Sequence, residues 1–396
     1  MGDFFIMEDI NDVKDKILYA DHAATTYILP EVMEEMKPYF IEKFGNASSI
    51  YTLGIMSKEA IENARKKIAC ALGALPNEIY YTSGGSESDN LIIRGIAHAH
   101  RNKGNHIITT KVEHSAVINT CKDLEKEGYE VTYLDVDNTG KIDLDMLRRS
   151  ITDKTILVSI MFANNEVGTI QPISEISKIT KFKQVIFHTD AVQAVGNIRI
   201  NVEEMGIDAL SLSAHKFYGP KGIGVAYIKE GISFNHEIAG GHQECCKRAG
   251  TENTPAIVGM GKALEIAVNN LDRESKRLAQ IRDYAINEIY RNVPNAILNG
   301  HSSDRLPGNV NFSFKNISGS ALCTVLDMNG ICASSGSACN SGINKPSHVL
   351  QAMNVNPEYI YGSVRLSFGK CNSIEDVDVI VACLKKCINK GEIRLK

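Results

Sequence analysis

The chain has 396 residues and lacks several features that would assign it to a common class of protein. No apolar run reaches the length of a membrane span, and no stripe of Lys and Arg marks a nucleic-acid surface. A net charge of −4 also disfavours binding to a phosphate backbone. The opening stretch, MGDFFIMEDINDVKDK, has neither the basic region nor the cleavage site of a signal peptide. We therefore expect a cytoplasmic protein that binds neither nucleic acid nor a membrane.

The ten cysteines show none of the spacings of a zinc or iron–sulfur site. A disulfide framework is not expected in so long a chain without a signal peptide. Cys383 and Cys387 stand four residues apart, which allows metal binding but favours one turn of a packed helix. Cys339 is different, because it lies in ASSGSACNSG, where small residues give a mobile backbone with little to pack. This context indicates a thiol that is presented to a reaction partner.

Repeats, low-complexity tracts and Pro-rich linkers are also missing. Between about residues 60 and 230, helix-like stretches alternate with the apolar runs EIYYT, HIITT, EVTYLDV, TILVSIMF, QVIFH, ALSLS and GVAYI. This alternation predicts an α/β fold in which helices cover both faces of a mainly parallel, seven-stranded sheet. From about residue 270, a long amphipathic helix and shorter strands indicate a smaller α+β domain. We predict an amino-terminal segment (1–25) packing with the small domain, a large domain (26–268) and the small domain (269–396).

Polar clusters follow five of these runs: SGGSESDN, KVEHSAV, ANNEVGTIQ, TDAVQ and AHKFYGPKG. Any one of them could be a solvated loop. In open α/β sheets, however, ligands bind outside the carboxyl ends of the strands. Five polar loops at that edge, with a lysine, an aspartate and histidines among them, therefore predict one shared binding site.

Three groups in these clusters indicate a cofactor. The glycines and serines of TSGGSES precede a helix-like run, which predicts a binding site for an anion at a helix amino terminus. The P-loop and GxGxxG motifs are absent, which favours one phosphate group over a di- or triphosphate. Lys216 follows an apolar strand and, inside a cleft, would be a nucleophile toward carbonyls. Asp190 follows another strand and needs a cationic partner such as a protonated ring nitrogen. Together they match pyridoxal 5′-phosphate (PLP), with a Schiff base on Lys216. His114 could stack on the ring or carry protons, and Gln193 is near enough to reach the ring hydroxyl.

In their order along the chain, these motifs resemble those of the cysteine desulfurases of the NifS/IscS type, in the class V branch of the PLP-dependent aminotransferases. The shared stretches run from YADHAATT through SAHKFYGPKGIG to SSGSACNSG and SVRLSFG, nearly the whole chain. The resemblance implies the type I aminotransferase fold and a homodimer that converts L-cysteine to L-alanine. It also implies that the sulfur is captured as a persulfide on Cys339 and passed to an acceptor, for iron–sulfur cluster assembly or another thiolation route.

The resemblance also implies roles for individual residues. The catalytic residues would be Cys339 as nucleophile, Lys216 as base and His114 as acid/base. Arg365, whose planar fork suits a carboxylate, would bind the substrate, with Asn46. The acceptor would be a scaffold of the IscU/NifU type, with which Cys339 could transiently ligate a cluster; no resident metal is implied. The implied cofactor contacts are Lys216, Gly85, Ser86, His114, Asn165, Asp190, Gln193, Ser213, His215 and, from the neighbouring subunit, Thr251.

The chain departs from the family pattern at several positions. The family usually has Asn where His22 stands, and Arg followed by a non-cysteine where Cys245 and Cys246 stand. This cysteine pair could relay sulfur or bind metal, although neutral drift is the favoured interpretation. Two other functions stay open from the sequence. One is a selenocysteine lyase or another class V β-eliminating enzyme, in which Cys339 would be optional; the other is a cluster-carrying scaffold whose cysteines bind iron.

Overall fold

The structure is a computed structural model that describes residues 17–336 and 346–390. Cys339, the predicted nucleophile, lies outside the described residues. The chain divides into two compact units. The larger unit comprises residues 25–275 and 300–306, and the smaller unit comprises the remaining described residues, 17–24, 276–299, 307–336 and 346–390.

Strands and helices alternate along most of the described chain. The strands are β1 (Leu18–Tyr19), β2 (Ile79–Thr82), β3 (His106–Thr110), β4 (Glu130–Leu134), β5 (Thr155–Ser159), β6 (Ile186–Asp190), β7 (Ala209–Ser213), β8 (Gly224–Ile228), β9 (Ala296–Leu298), β10 (Asn309–Phe314), β11 (Ile331–Cys332) and β12 (Ser363–Ser367). The helices are α1 (Pro30–Met36), α2 (Pro38–Ile41), α3 (Thr52–Leu72), α4 (Gly85–Ala99), α5 (Ser115–Lys126), α6 (Leu144–Ser150), α7 (Ile173–Phe182), α8 (Val202–Met205), α9 (Gln243–Cys246), α10 (Thr254–Asn269), α11 (Leu271–Asn292), α12 (Gly319–Met328), α13 (His348–Ala352), α14 (Pro357–Ile360) and α15 (Ile374–Lys390).

The larger unit is built on one seven-stranded sheet in the order β2-β8-β7-β6-β5-β3-β4. Strands β3 to β7 pair in parallel, whereas β8 is antiparallel to both of its neighbours, β7 and β2. Every residue of β3, β5, β7 and β8 is buried, as expected of strands covered on both faces. The predicted α/β fold with a mainly parallel seven-stranded sheet is confirmed.

The core of the larger unit lies between this sheet and the helices that follow its strands. Helices α4 and α5 pack against β3 and β5 through side chains that water does not reach, including Ile92, Ile96, Ile107, Val117 and Leu157. Burying each such side chain stabilises the fold by roughly 1.5–3 kcal/mol. The register of the strands, and so the position of their carboxyl ends, is held by this packing.

The smaller unit contains the three-stranded antiparallel sheet β12-β10-β9, and β1 pairs in parallel with β11. Its core packs Phe312 and Phe314 of β10 against apolar side chains of α11, α12 and α15. Cys383 and Cys387 on α15 pack at this core, with their Sγ atoms 3.9 Å apart. Among the described residues, no helix is long and apolar enough to cross a membrane.

Candidate active site

The polar residues that follow the strands of the larger unit meet at one edge of its sheet. Parallel strands place their carboxyl ends at the same edge, where α/β proteins bind ligands. Strand β6 ends at Asp190 itself, β7 ends at Ser213, and a 3₁₀ turn from Ala214 to Lys216 follows at once. Helix α4 begins at Gly85, with two residues between it and the end of β2, and His114 follows β3. The larger unit therefore brings Lys216, Asp190, His114, Ser213 and Gly85 to one edge.

Asp190 is a buried carboxylate with cationic neighbours. Its Oδ1 accepts the backbone N–H of Val192 at 2.9 Å. Burial is the largest influence and raises the pKa of Asp190, while the charges of His114 and Lys216 oppose it by lowering the pKa. The ionised form therefore depends on positive charge placed close to it.

A second acid, Asp89, stands beside Asp190 and was not identified from the sequence. A carboxylate oxygen of Asp89, a ring nitrogen of His114 and a carboxylate oxygen of Asp190 all lie within 4.8 Å of one another. Asp89 is buried, accepts a hydrogen bond from the Ser211 hydroxyl, and has its pKa raised well above the usual value by burial and by Asp190. Asp89 lies one helical turn after Gly85 on α4, and this spacing was the one feature of the sequence that could have placed it at the site. The stretch SESD is equally typical of a polar helix start, so the spacing did not single it out.

The orientation of His114 follows from its position as the N-cap of α5. Its Nδ1 accepts the backbone N–H of Ala116 at 3.2 Å. In the neutral ring the proton is therefore on Nε2, which is the nitrogen left to donate. Glu113, just before it, is also buried: its Oε1 accepts the Met161 N–H at 3.0 Å and the Thr110 hydroxyl at 2.7 Å.

The turn that holds Lys216 is clamped by Thr26. The Thr26 N–H and hydroxyl donate to the His215 carbonyl at 2.9 and 3.0 Å, and the same hydroxyl accepts the Tyr218 N–H at 2.8 Å. Lys216 is thereby held half-buried at the end of β7. Thr26 lies in the DHAATT motif, to which the sequence gave no role beyond the family resemblance. The role of Thr26 could not be inferred from the sequence because it depends on a contact with residues almost 190 positions away.

His215 is neutral at physiological pH. Burial, followed by the charges of Lys216 and Lys221, lowers its pKa to about 4. Its Nδ1 lies 3.1 Å from the Thr25 hydroxyl. With the hydroxyl donating to Nδ1, the Nε2–H is available to donate to an anion.

The start of α4 is a bare backbone cradle. Side chains are excluded there, since a Cβ on Gly85 would lie 2.6 Å from Val192 Cγ2, and a Cβ on Gly224 would lie 2.6 Å from the Gly84 Cα. A Cβ built on Gly84 would lie 3.6 Å from Ser213 Oγ, so this hydroxyl faces the cradle. The first N–H groups of a helix have no partners within it, and with the helix dipole they favour an anion.

The other residues expected in the larger unit occupy varied positions. Gln193 is buried three residues after Asp190, whereas Asn165 is half-buried in a loop after β5. Ser86 is exposed in the first turn of α4. Thr251 is exposed and lines a cavity of about 160 Å³ together with residues that include Ser83. Asn46 is exposed, with its Oδ1 accepting the Ser48 N–H at 2.9 Å.

Arg365, the predicted substrate ligand, lies on β12 of the smaller unit. Its Nη2 pairs with Asp21 Oδ1 at 2.8 Å, and only 8% of the residue is exposed. Asp21 Oδ2 also accepts the Ser334 hydroxyl at 2.6 Å. The aspartate holds the guanidinium in place and was not identified as a site residue from the sequence.

The fold and the larger unit's site define an α/β enzyme of the aminotransferase type, with a lysine, a buried aspartate and an anion cradle at the carboxyl edge of one sheet. A family model described as "Aminotransferase class-V" matches residues 18–380. The protein "Cysteine desulfurase IscS" of Clostridium botulinum is 52% identical over 378 residues, 95% of each chain. A solved structure titled "NIFS-LIKE PROTEIN" has a TM-score of 0.89 and 38% identity, covering 94% of this chain and 100% of its own.

A second solved structure, "SspA in complex with cysteine", has a TM-score of 0.79 and 37% identity, covering 88% of this chain and 98% of its own. The chain therefore belongs to the class V aminotransferase family and, within it, to the cysteine desulfurases of the NifS/IscS type. The resemblance inferred from the sequence motifs is confirmed. The family implies PLP as cofactor.

Proposed function

We propose that this chain uses PLP bound at Lys216 to convert L-cysteine to L-alanine, and that Cys339 carries the released sulfur as a persulfide. The observation that supports this most is the lysine turn clamped by Thr26, with the Lys216 charge close to the buried carboxylate of Asp190. The structure solved with cysteine, 37% identical, supports the choice of substrate.

The donors in the larger unit fit the cofactor's functional groups. The bare backbone at Gly84 and Gly85, with the Ser213 hydroxyl facing it, suits a phosphate. Ser86 and the neutral His215 would add donors, and Thr251 of a second subunit would complete the phosphate site in a homodimer. Asn165 and Gln193 would contact the ring oxygen, and His114 would lie against the ring.

Bound PLP supplies an electron sink for the charge that develops at the substrate Cα. Lys216 would hold the cofactor through its aldehyde and take the Cα proton of cysteine. An ionised Asp190 would keep a proton on the ring nitrogen, the state that its cationic neighbours favour. Arg365, oriented by Asp21, would bind the substrate carboxylate through two parallel hydrogen bonds, with Asn46 as a further contact.

Sulfur transfer is assigned to Cys339. Its thiolate attacks the substrate sulfur, the S–S bond forms as the Cβ–S bond breaks, and the three-carbon fragment takes up protons and leaves as alanine. The persulfide sulfur then passes to a thiol of an acceptor protein. We propose that this acceptor is a scaffold of the IscU/NifU type in the cytoplasm.

The test is to incubate the purified PLP-loaded protein with L-cysteine and dithiothreitol, and to measure alanine and sulfide together. We expect equimolar products that are lost in Lys216→Ala and in Cys339→Ser. Cys70→Ser, which changes an exposed cysteine on α3, is the matched control and should retain both products. Pyruvate and ammonia in place of alanine would refute the proposal.

The selenocysteine lyase alternative has a separate readout. With L-selenocysteine as substrate, selenide release by Cys339→Ala at the wild-type rate would show that the thiol is optional for selenium. Loss of selenide release in that variant would show that the same thiol serves both substrates.

A further inference from the structure

A cysteine and a histidine of the smaller unit form a pair that has no role in the proposed reaction. Cys371 Sγ lies 3.6 Å from His22 Nε2. Cys371 is exposed, whereas His22 is 93% shielded from water. The two residues are 349 positions apart in the chain, so the fold alone brings them together.

The imidazole of His22 is held in one orientation. Its Nδ1 lies 3.0 Å from the backbone carbonyl of Ser367, which can only accept, so Nδ1 carries the proton. The ring of Tyr19 meets the imidazole edge-on, with ring centroids 4.9 Å apart. Burial lowers the pKa of His22, which keeps the ring neutral. The lone pair of Nε2 is therefore the acceptor that faces the Cys371 sulfur.

The turn that presents Cys371 is braced from two sides. Arg277 donates from Nη1 to the Asn372 carbonyl at 2.6 Å and from Nη2 to the Gly369 carbonyl at 3.0 Å. The Asn372 side chain accepts the Gly369 N–H at 2.8 Å and donates to the Tyr19 carbonyl at 3.0 Å. Because these bonds span the turn on both sides of the cysteine, the thiol keeps its position beside His22.

The surroundings of this pair keep the Cys371 thiol protonated, so the thiol needs a proton acceptor when it reacts. Partial burial of the thiol raises the pKa of Cys371 and Asp376 adds to this, while the Arg277 charge opposes it. The sulfur is thus protonated at rest and becomes nucleophilic only as its proton leaves. Activated nucleophiles in enzymes have this arrangement, in which a base lies within reach of the thiol and a third group orients the base.

We propose that Cys371 is a second sulfur-accepting thiol of this enzyme, with His22 as its general base. The substrate class is a persulfide, R–S–SH, and this part rests on the proposed function, which forms one. The Cys371 sulfur attacks the outer sulfur as its proton passes to His22 Nε2. A new S–S bond forms, the old S–S bond breaks, and the leaving thiolate takes the proton back, so the products are Cys371–S–SH and R–SH with no net oxidation.

The test uses glutathione persulfide, so that its outcome does not depend on turnover of cysteine. The PLP-loaded Cys339→Ser protein is exposed to this reagent for varied times, its thiols are alkylated, and persulfides are located by mass spectrometry. Cys70, exposed on α3, is the internal control. We expect the persulfide to form at Cys371 faster than at Cys70 by about a hundredfold, the lower end of what a general base contributes.

The matched variant is His22→Asn in the same background. The Asn side chain can still donate to the Ser367 carbonyl but has no basic nitrogen, so the fold should be kept while the rate at Cys371 falls to that at Cys70. His22→Gln, together with circular dichroism of each variant, controls for loss of structure. Equal rates at Cys371 and Cys70 in the unchanged pair, or an unaltered rate in folded His22→Asn, would overturn the proposal. A failed alanine assay with normal labelling of Cys371 would instead count against the proposed function alone.

Discussion

Glu113 makes the stability of this enzyme depend on pH in a way that one substitution should remove. The carboxyl is buried, and burial raises its pKa to about 8, with Asp190 adding to the effect and the Met161 and Thr110 hydrogen bonds opposing it. The folded protein therefore keeps a proton that the unfolded chain, with an ordinary pKa of 4.5, loses first. The unfolded state binds fewer protons across this window, so the free energy of unfolding falls as pH rises through it.

The size of the effect follows from the shift. The window spans about 3.5 pH units, and each unit corresponds to 1.36 kcal/mol, which gives a loss of roughly 5 kcal/mol by pH 8. Glu113→Gln cannot titrate, yet its side-chain oxygen can accept both hydrogen bonds that Oε1 accepts. We therefore expect the variant to become more stable relative to wild type with each step from pH 5 to pH 8.

The assay is urea unfolding at fixed protein and PLP concentrations between pH 5 and 9. Circular dichroism is the appropriate signal, since the chain has no tryptophan. Glu59→Gln, at an exposed position on α3, is the control and should leave the difference from wild type constant. Parallel pH curves for wild type and Glu113→Gln would refute the reasoning.

Three further substitutions test the local arguments. Thr26→Val removes the hydroxyl that clamps the lysine turn, so it should lower the free energy of unfolding by about 1–3 kcal/mol and slow alanine formation. Thr26→Ser keeps the hydroxyl and should do neither, and equal effects of the two substitutions would contradict the clamp. In Glu244→Gln, the half-buried Arg65 loses the buried carboxylate that it now meets through two bonds of 2.8 and 2.9 Å, and keeps the 3.2 Å ion pair with Glu62. We expect a cost of about 3–5 kcal/mol in urea unfolding, and a cost under about 1 kcal/mol would show that the pair is dispensable. Gly224→Ala would press a Cβ against the Gly84 backbone, so we expect about 1–3 kcal/mol of destabilisation and weaker PLP binding by absorbance titration, whereas unchanged binding would remove the support for a cradle there.

Much of the larger unit could be predicted because its signals are local. All seven apolar runs are strands of one sheet, and the residues after β2 to β7, which share one direction, lie at its carboxyl edge. The direction of β8 could not be predicted, since Val225 and its neighbours read as a buried strand in either direction. Pairing with β7 and β2 decides that it is antiparallel.

The pair Cys245 and Cys246 shows a second limit. The sequence raised sulfur relay or metal binding against neutral drift, and these remain predictions. In the structure both residues are exposed, and the backbone from Glu244 to Cys246 has positive φ angles of 46°, 55° and 65°. The buried Glu244 anchors this turn to Arg65 and to the Tyr81 N–H, an arrangement that no local pattern reveals.

The amino-acid sequence alone determined the succession of strands and helices along the chain, the lysine, the aspartate and the glycine-rich helix start, because apolar runs and strand-end chemistry act within a few residues. Tertiary structure alone decided which acids stay protonated beside Asp190, what clamps Lys216, and which thiol meets an imidazole. Those properties arise from burial and from contacts between residues tens to hundreds of positions apart, and a one-dimensional pattern contains neither.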